Sequence, residues 1–181
     1  ALAGLDEHGI NTVESRIGGA DTELLSSADV VVNALPGNIG DAIRETLLSI
    51  EGMRVADLAF AAQEPARFDG LAEQNGAIMV HDVGIAPGLS NMVVAQYATR
   101  CKLKSVEIRV GGNQQQPDED WSYMAPVSPS DVIAEYTRPA RIRREGREVV
   151  LPALGELHPI EVEGYGLMEA FLTDGLRSLL D

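Results

Sequence analysis

The sequence predicts an α/β fold in which a parallel sheet is followed by a second region of mixed α+β structure. Up to about residue 102, apolar runs of strand length alternate with segments of helical periodicity. This alternation is typical of parallel strands joined by right-handed crossover helices. Beyond residue 103, short strand-like segments follow one another with tight turns between them. That pattern favours antiparallel or mixed pairing.

Four strands and four helices are predicted in the first region. The second strand, DVVVNAL, is almost continuously apolar, which predicts burial on both faces. The helix that follows has apolar residues along one face, as an amphipathic helix does. The strands are expected at residues 13–17, 29–35, 53–60 and 77–80, and the helices at residues 21–28, 39–50, 65–74 and 89–101.

The second region is predicted to hold mainly strands. The segment SVEIRV alternates apolar and polar residues, which predicts a half-buried strand over residues 105–110. A polar, acidic loop follows over residues 113–120. We then expect a short helix over residues 130–135, capped by Ser128 or Ser130. A hairpin about Glu145-Gly146 is expected over residues 141–151, and two more strands at residues 160–162 and 168–172.

The composition excludes several classes of function. A net charge of −14 argues against binding to nucleic acid and, more weakly, to an anionic membrane surface. No apolar stretch approaches the ~20 residues that span a bilayer. The single cysteine, Cys101, cannot form a disulfide within the chain and fits a reducing cytoplasm. The histidines at positions 8, 81 and 158 lack the spacing of metal ligands, so we predict no metal site.

The segment AIMVHDVGIAPGLSN, residues 77–91, carries the clearest candidates for chemistry. It places His81 and Asp82 at the end of a strand, before a glycine- and proline-rich turn and a helix. Ligands of parallel sheets bind beyond the carboxyl ends of the strands. Either residue could accept a proton. Strand alternation should send the two side chains to opposite faces, and we favour Asp82, with a structural role for His81 as the alternative.

Several segments resemble the saccharopine dehydrogenase-like oxidoreductases, and most closely their lysine 6-dehydrogenase branch. These segments run in order along nearly the whole chain: DVVVNALPG, VADLAF followed by EP, HDVGIAPGLSN, VEIRVGG, SPSDVIAEYTRPARIRREG and MEAFLTDGLRSLL. The resemblance implies the later part of a Rossmann dinucleotide-binding domain at residues 1–102 and a mixed-sheet substrate-binding and dimerisation domain at residues 103–181. Against the family plan, the chain lacks the phosphate loop and the returning C-terminal segment, so we expect a piece trimmed at both ends.

The activity that this resemblance implies is hydride transfer, with NAD or NADP, at an amine-bearing carbon of a lysine-like amino acid. A base must first take a proton from the amine, and nearby carboxylates favour the developing cation. One alternative is a saccharopine- or carboxynorspermidine-type reductase, against which the apolar Leu58-Ala59-Phe60 after Asp57 weighs. Another is a non-catalytic dimerisation or substrate-binding fragment. Sugar oxidoreductases, which have a similar two-domain plan, are a less favoured alternative. A cytoplasmic homodimer that binds a small molecule is expected.

The resemblance also suggests which residues form the site. Asp57 would face the substrate, or else bond neighbouring backbone. The guanidinium groups of Arg138 and Arg177 could bind an α-carboxylate. The start of the helix near residue 89 should offer N–H groups without a partner in the helix. Arg141, Arg143 and Arg144 are interpreted as a solvated strand face. The cofactor would contact Asn33, Ala34, Leu35, Pro36, Gly84 and Pro87, and the substrate Ser90, Asn91, Tyr123, Arg138 and Arg177.

Overall fold

A computed structural model describes residues 22–112 and 128–180 of the chain. The strand predicted at residues 13–17, the loop predicted at residues 113–120 and the candidate Tyr123 lie outside the described residues.

The described residues form five α-helices and seven strands, in the mixed α/β order that the sequence predicts. The helices are α1 (Thr22–Ser26), α2 (Gly37–Leu48), α3 (Asp69–Asn75), α4 (Leu89–Ala98) and α5 (Pro129–Thr137). The strands are β1 (Val31–Asn33), β2 (Arg54–Asp57), β3 (Ile78–His81), β4 (Ala140–Arg144), β5 (Arg147–Leu151), β6 (His158–Val162) and β7 (Gly166–Ala170). Short 3-10 turns cover Pro65–Phe68 and Arg177–Leu179.

The first region is a three-stranded parallel sheet in the order β1-β2-β3. Because the strands succeed one another in one direction, right-handed crossovers put α2 and α3 on the same face. Leu25 of α1 packs against the core on that face too. The core lies between that face and the helices. It is built on Leu47, Leu48, Met53, Val55 and Ala77, with Leu25, Val31, Ile43, Ile50, Phe68, Leu71, Ala72 and Met79 packed around them.

The opposite face of this sheet is exposed in the described part of the chain. Val32 of β1 is 62% exposed and Val80 of β3 is 56% exposed. The prediction that the second predicted strand is buried on both faces is therefore wrong for these residues. The physical reason is the one-directional strand order, which puts both crossover helices, α2 and α3, on the other face.

The second region contains two antiparallel pairs, β4-β5 and β6-β7. The predicted hairpin turns at Glu145 and Gly146, which both have positive φ, so this prediction is confirmed. The predicted strand at residues 105–110 is wrong, because no described strand pairs with it and Val110 is 72% exposed. Alternation alone does not make a strand when no partner is available. None of the described helices is long and apolar enough to cross a bilayer.

Candidate functional site

Polar side chains meet at the carboxyl ends of the three parallel strands. The register pairs Asn33 with Asp57, and Asp57 with His81, so the last residues of β1, β2 and β3 form one row. The loops that leave the strands bond back to this row: Leu58 N donates to Asn33 O, and Val83 N donates to Asp57 O. The predicted convergence of polar residues at this edge is therefore observed.

One half of the row is a closed ionic cluster. The Arg44 guanidinium, fully buried, donates from Nε and Nη2 to Asp57 Oδ2 at 3.0 and 2.5 Å. Nη2 also reaches Ala59 O at 3.0 Å, and Nη1 reaches Asp41 at 2.8 Å. The Asn33 amide donates to the other oxygen of Asp57 at 2.5 Å. Both buried charges are thus paired and hydrogen-bonded, as burial demands.

These contacts indicate a positioning role for Asp57 rather than proton transfer. Its side chain is fully buried, and both of its oxygens are bonded within the cluster. Its partner Arg44 was not among the predicted site residues. A signal for it existed: Arg44 lies four residues after Gly40 and three before Leu47, on the buried face of α2. A charge on such a face requires a buried partner.

The second half of the row is built on His81 and Asp82. Asp82 has a φ of 55°, in the left-handed region, so it leaves the strand geometry at once. His81 Nδ1 then lies 3.4 Å from Asp82 Oδ2. The prediction that the two side chains point to opposite faces is therefore wrong, because alternation holds only within an extended strand.

The pair perturbs the titration of both groups. The contact with Asp82 raises the pKa of His81 above 6.5, although burial opposes this. Burial by itself would raise the pKa of Asp82. The close contact with His81, the hydrogen bond from the Ser178 amide and the charge on Arg177 outweigh burial and lower that pKa from 3.8 to about 2. Asp82 is therefore ionised at neutral pH.

Arg177 reaches this edge from the C-terminal segment. Its side chain is 2% exposed, and its Nε lies 3.5 Å from Asp82 Oδ1. Nη1 donates to Ala61 O at 2.8 Å, and the guanidinium carbon lies 5.4 Å from the centre of the Phe60 ring. Nη2 is buried and has no hydrogen-bond partner among the described residues. Arg177 also has a left-handed φ of 50°, a backbone conformation that residues other than glycine rarely adopt.

Arg138 contacts the same Phe60 ring as Arg177, and we call this ring the Phe60 platform. Its guanidinium carbon lies 4.9 Å above the Phe60 ring, and its Nη1 is 3.5 Å from Ala61 O. Burial lowers the pKa of Arg138 from its ordinary value. The structure thus brings together two of the predicted substrate residues, although they are far apart in sequence. Phe60 and the carbonyl of Ala61, which hold them, were not predicted.

The prediction that Arg141 belongs to a solvated face is wrong. Its Nε and Nη2 each lie 2.8 Å from the carboxylate of Asp174, which is 4% exposed, and its Nη1 pairs with Glu64. Asp174 also lies 3.9 Å from Arg177 Nη1. Arg141 therefore supports the segment that carries Arg177.

The turn between β3 and α4 closes on itself. A side chain at Gly88, whose φ is 142°, would collide with the Gly84 carbonyl. Leu89 N donates to Gly84 O at 2.9 Å, and Ser90 N donates to Ile85 O at 3.0 Å. The predicted open N–H groups at this helix start are therefore already bonded, because the turn folds its own carbonyls onto them.

Asn91 links the start of α4 to the C-terminal segment. Its Oδ1 accepts from the Ser90 hydroxyl at 3.0 Å and from Gly88 N at 3.4 Å. Its Nδ2 donates to the Ser178 hydroxyl at 2.8 Å, while Ser178 N donates to Asp82 Oδ2 at 3.0 Å. The predicted substrate residue Asn91 is thus linked to Asp82 through Ser178, which the prediction missed, and Ser90 bonds Asn91.

The turn after β1 holds residues that are predicted to contact the cofactor. The Asn33 side chain is occupied by bonds to Asp57 and to Gly40 O, whereas Ala34 is exposed and Leu35 and Pro36 are half-buried. Backbone groups of this turn could therefore lie along a nicotinamide ribose. The glycine-rich G-x-G-x-x-G loop that cradles a pyrophosphate is not in the sequence. Within the described ranges, no group of three or more potential ligands could hold a metal ion.

A parallel sheet with a polar row at its carboxyl edge, contacted by arginines from a second region, defines an α/β protein, and this edge is where ligands of open α/β sheets bind. The model of the Saccharopine dehydrogenase C-terminal domain family matches residues 84–177, slightly more than half of the chain. The chain belongs to the saccharopine dehydrogenase-like family, whose members are in general amino-acid oxidoreductases that use NAD(P). The match covers the turn before α4, both helices α4 and α5, the two hairpins and Arg177. It covers none of the parallel strands.

Proposed function

We propose that this chain supplies the substrate-holding part of an NAD(P)-dependent oxidoreductase that oxidises a lysine-like amino acid at an amine-bearing carbon. One observation carries the proposal: a buried arginine with a free donor lies beside an ionised carboxylate and a histidine at the carboxyl edge of a parallel sheet. The arginine supplies an anion contact, and the other two residues supply proton chemistry next to it.

The anion contact is Arg177. A buried donor without a partner is costly, and a bound carboxylate would satisfy Nη2 with a charge-assisted hydrogen bond. Arg138, on the same Phe60 platform, adds a second positive charge within reach of the same ligand. An α-carboxylate bound there would hold an amino acid in a fixed orientation, which is a large part of catalysis in such sites.

The proton acceptor in this proposal is His81, in place of Asp82, which the sequence analysis favoured. A base works best when its pKa lies near the working pH, and Asp82, with a pKa of about 2, is a weak acceptor. Asp82 instead orients the imidazole and stabilises the positive charge that develops on the imine. The amine proton moves to His81, and the hydrogen on the amine-bearing carbon leaves as hydride. A nicotinamide cofactor, held along the turn Ala34-Leu35-Pro36, would supply the hydride acceptor.

The first experiment measures binding of L-lysine by calorimetry. Arg177→Gln should weaken the affinity at least about tenfold, the factor that ~1.4 kcal/mol produces. The matched control is Arg147→Gln on exposed β5, which should bind like the unaltered chain. Cadaverine, which has the same two amines but no carboxylate, should bind as weakly as L-lysine binds to the variant. Equal binding of cadaverine and L-lysine would refute the arginine assignment.

The activity is then measured as formation of reduced nicotinamide. NAD⁺ and NADP⁺ are each supplied with a panel of amino acids and polyamines. Oxidation of lysine-like amino acids supports the proposal, and it would place the chain nearer to the lysine 6-dehydrogenase branch. Oxidation of polyamines alone would favour a carboxynorspermidine-type activity instead.

A non-catalytic module is the second candidate, because the sequence contains no phosphate-binding glycine loop. In that case the chain provides substrate-binding and dimerisation surfaces only. Titration of NADH, followed by nicotinamide fluorescence, separates the two candidates. Binding at micromolar NADH opposes the module, and absence of binding together with retained L-lysine affinity supports it. A homodimer, a cytoplasmic location and a domain boundary near residue 102 also stay predictions.

A further inference from the structure

We propose that Asp131 is a positioning residue, whose carboxylate docks α5 onto the N-terminus of α2 and thereby holds Arg138 beside Arg177. The place of Arg138 in substrate binding rests on the proposed function, whereas the docking contact itself does not.

The contact joins the two regions of the chain. Gly37 N, at the first residue of α2, donates to Asp131 Oδ1 at 3.0 Å and to Oδ2 at 3.1 Å. The first N–H groups of a helix have no partner within the helix, and negative charge is favoured there. A carboxylate from 94 residues further along the chain therefore acts as the cap of α2. Pro36, at the capping position itself, makes no such side-chain bond.

The same carboxylate stands in the first turn of its own helix. An acidic residue there usually serves its own helix N-terminus. In α5 the Asp131 carboxylate instead bonds the amide of Gly37, and Ser128 at the capping position makes no side-chain capping bond. One charge thus lies near the positive ends of two helices, which explains an acid rather than a serine at this position.

The far end of α5 carries Arg138. This residue follows the last turn of the helix and contacts both Phe60 and Ala61 O. The helix α5 is therefore attached to the sheet edge at both ends, by Asp131 to the turn after β1 and by Arg138 to the loop after β2. Because a helix is stiff along its axis, fixing its first turn restricts where Arg138 can lie.

Gly37 is the point at which the three elements meet. A Cβ at this position would collide with the Phe60 carbonyl and would lie 2.9 Å from Asp131 Oδ1. Only a residue without a side chain lets the α2 start, the Phe60 loop and α5 approach this closely. Phe60 therefore lies against Gly37 through its backbone carbonyl and against Arg138 and Arg177 through its ring.

The docking contact is tested by NMR on the unaltered chain. We expect a scalar coupling across the hydrogen bond between Gly37 N and the side-chain carboxyl carbon of Asp131, and slow hydrogen exchange of the Gly37 amide. Asp131→Ala should abolish the coupling and speed exchange at Gly37 by at least about tenfold, since exchange reports local opening. Ser130→Ala, next to it in the same turn, should leave both unchanged. No coupling in the unaltered chain would overturn the proposal without any variant.

The positioning role is tested by the environment of Arg138. Protons of its side chain, above the Phe60 ring, should show a ring-current shift that is reduced in Asp131→Asn. Glu135→Gln removes one negative charge from the same helix and should leave that shift in place. L-lysine affinity should fall about tenfold in Asp131→Asn and not in Glu135→Gln. An unchanged Arg138 shift in Asp131→Asn overturns the positioning role. If the unaltered chain binds no L-lysine, the proposed function fails, and the NMR readouts still decide the docking contact.

Discussion

Two arginine–aspartate pairs lie at the same edge of the sheet, and they are built in opposite ways. The Arg44–Asp57 pair is fully buried, is joined at 2.5 and 3.0 Å, and has hydrogen bonds from Asn33 and to Ala59 O. The Arg177–Asp82 pair is joined at 3.5 Å, and one guanidinium nitrogen is left without a partner among the described residues. Both residues of this second pair have a left-handed backbone, whereas neither residue of the first pair does.

The difference indicates that the Arg44–Asp57 pair stabilises the fold and that the Arg177–Asp82 pair is available to a ligand. A buried ion pair whose two charges are paired and hydrogen-bonded holds elements together, and here it ties α2 to the ends of β1 and β2. A pair with long contacts, strained backbone and a free donor keeps capacity for a ligand. The position in the sequence does not reveal this distinction, because Asp57 ends β2 and Asp82 directly follows β3 of the same sheet.

The comparison is tested most strongly by breaking the closed pair. Arg44→Ala should lower the free energy of unfolding by about 3–5 kcal/mol, because it leaves the Asp57 charge buried and unpaired. Arg54→Ala, on the exposed side of β2, should change it by no more than about 0.5 kcal/mol. Urea unfolding of the two variants provides the measurement. Similar losses in both would mean that the closed cluster does not stabilise the fold.

Acid should lower the free energy of unfolding by a smaller amount, through the Arg177–Asp82 pair. Because the folded-state pKa of Asp82 is about 2, below its usual 3.8, the ionised carboxylate stabilises the fold at and above pH 4. That contribution, about 2 kcal/mol, is lost as the pH falls through about 2. Unfolding by urea between pH 5 and pH 2 should therefore show a steeper loss in the unaltered chain than in Asp82→Asn. The exposed Asp29→Asn should follow the unaltered chain, and a slope that Asp82→Asn leaves unchanged would contradict the assignment.

The smallest expected effect is a change in the pKa of His81. Since the contact with Asp82 is the main cause of its raised pKa, Asp82→Asn should lower the pKa of His81. The raised pKa also means that the stabilisation by the charged imidazole is present below pH 6.5 and is lost as the pH rises through the folded-state value. NMR titration of the His81 ring protons measures the shift, and Glu163→Gln in the distant β6-β7 turn is the control. A higher pKa in Asp82→Asn would show that another group controls His81.

Much of the fold could be predicted from periodicity. The parallel strands, α2, α4 and the hairpin at Glu145-Gly146 follow from local patterns, because alternation and helical spacing report which side of an element is buried. The strand predicted at residues 105–110 failed for the converse reason. Its pattern describes a surface that a partner could cover, and whether a partner exists is decided by distant parts of the chain.

The site was predictable only in part. Asp82, Arg138 and Arg177 were predicted from chemistry and resemblance, and the structure places Arg177 beside Asp82 and both arginines against Phe60. Arg44 and Asp131 were missed because their roles depend on partners 13 and 94 residues away. A single residue's type does not reveal which backbone amide or carboxylate it will meet.

The sequence by itself determined the order of strands and helices, the polar residues at the strand ends and the family to which they point. These properties depend on local spacing and on segments that can be compared directly. Only the tertiary structure decided that Arg44 closes the Asp57 cluster, that His81 and Asp82 lie side by side, and that α5 caps α2. Each depends on a contact between distant residues or on one left-handed backbone angle, and neither is encoded in a periodic pattern.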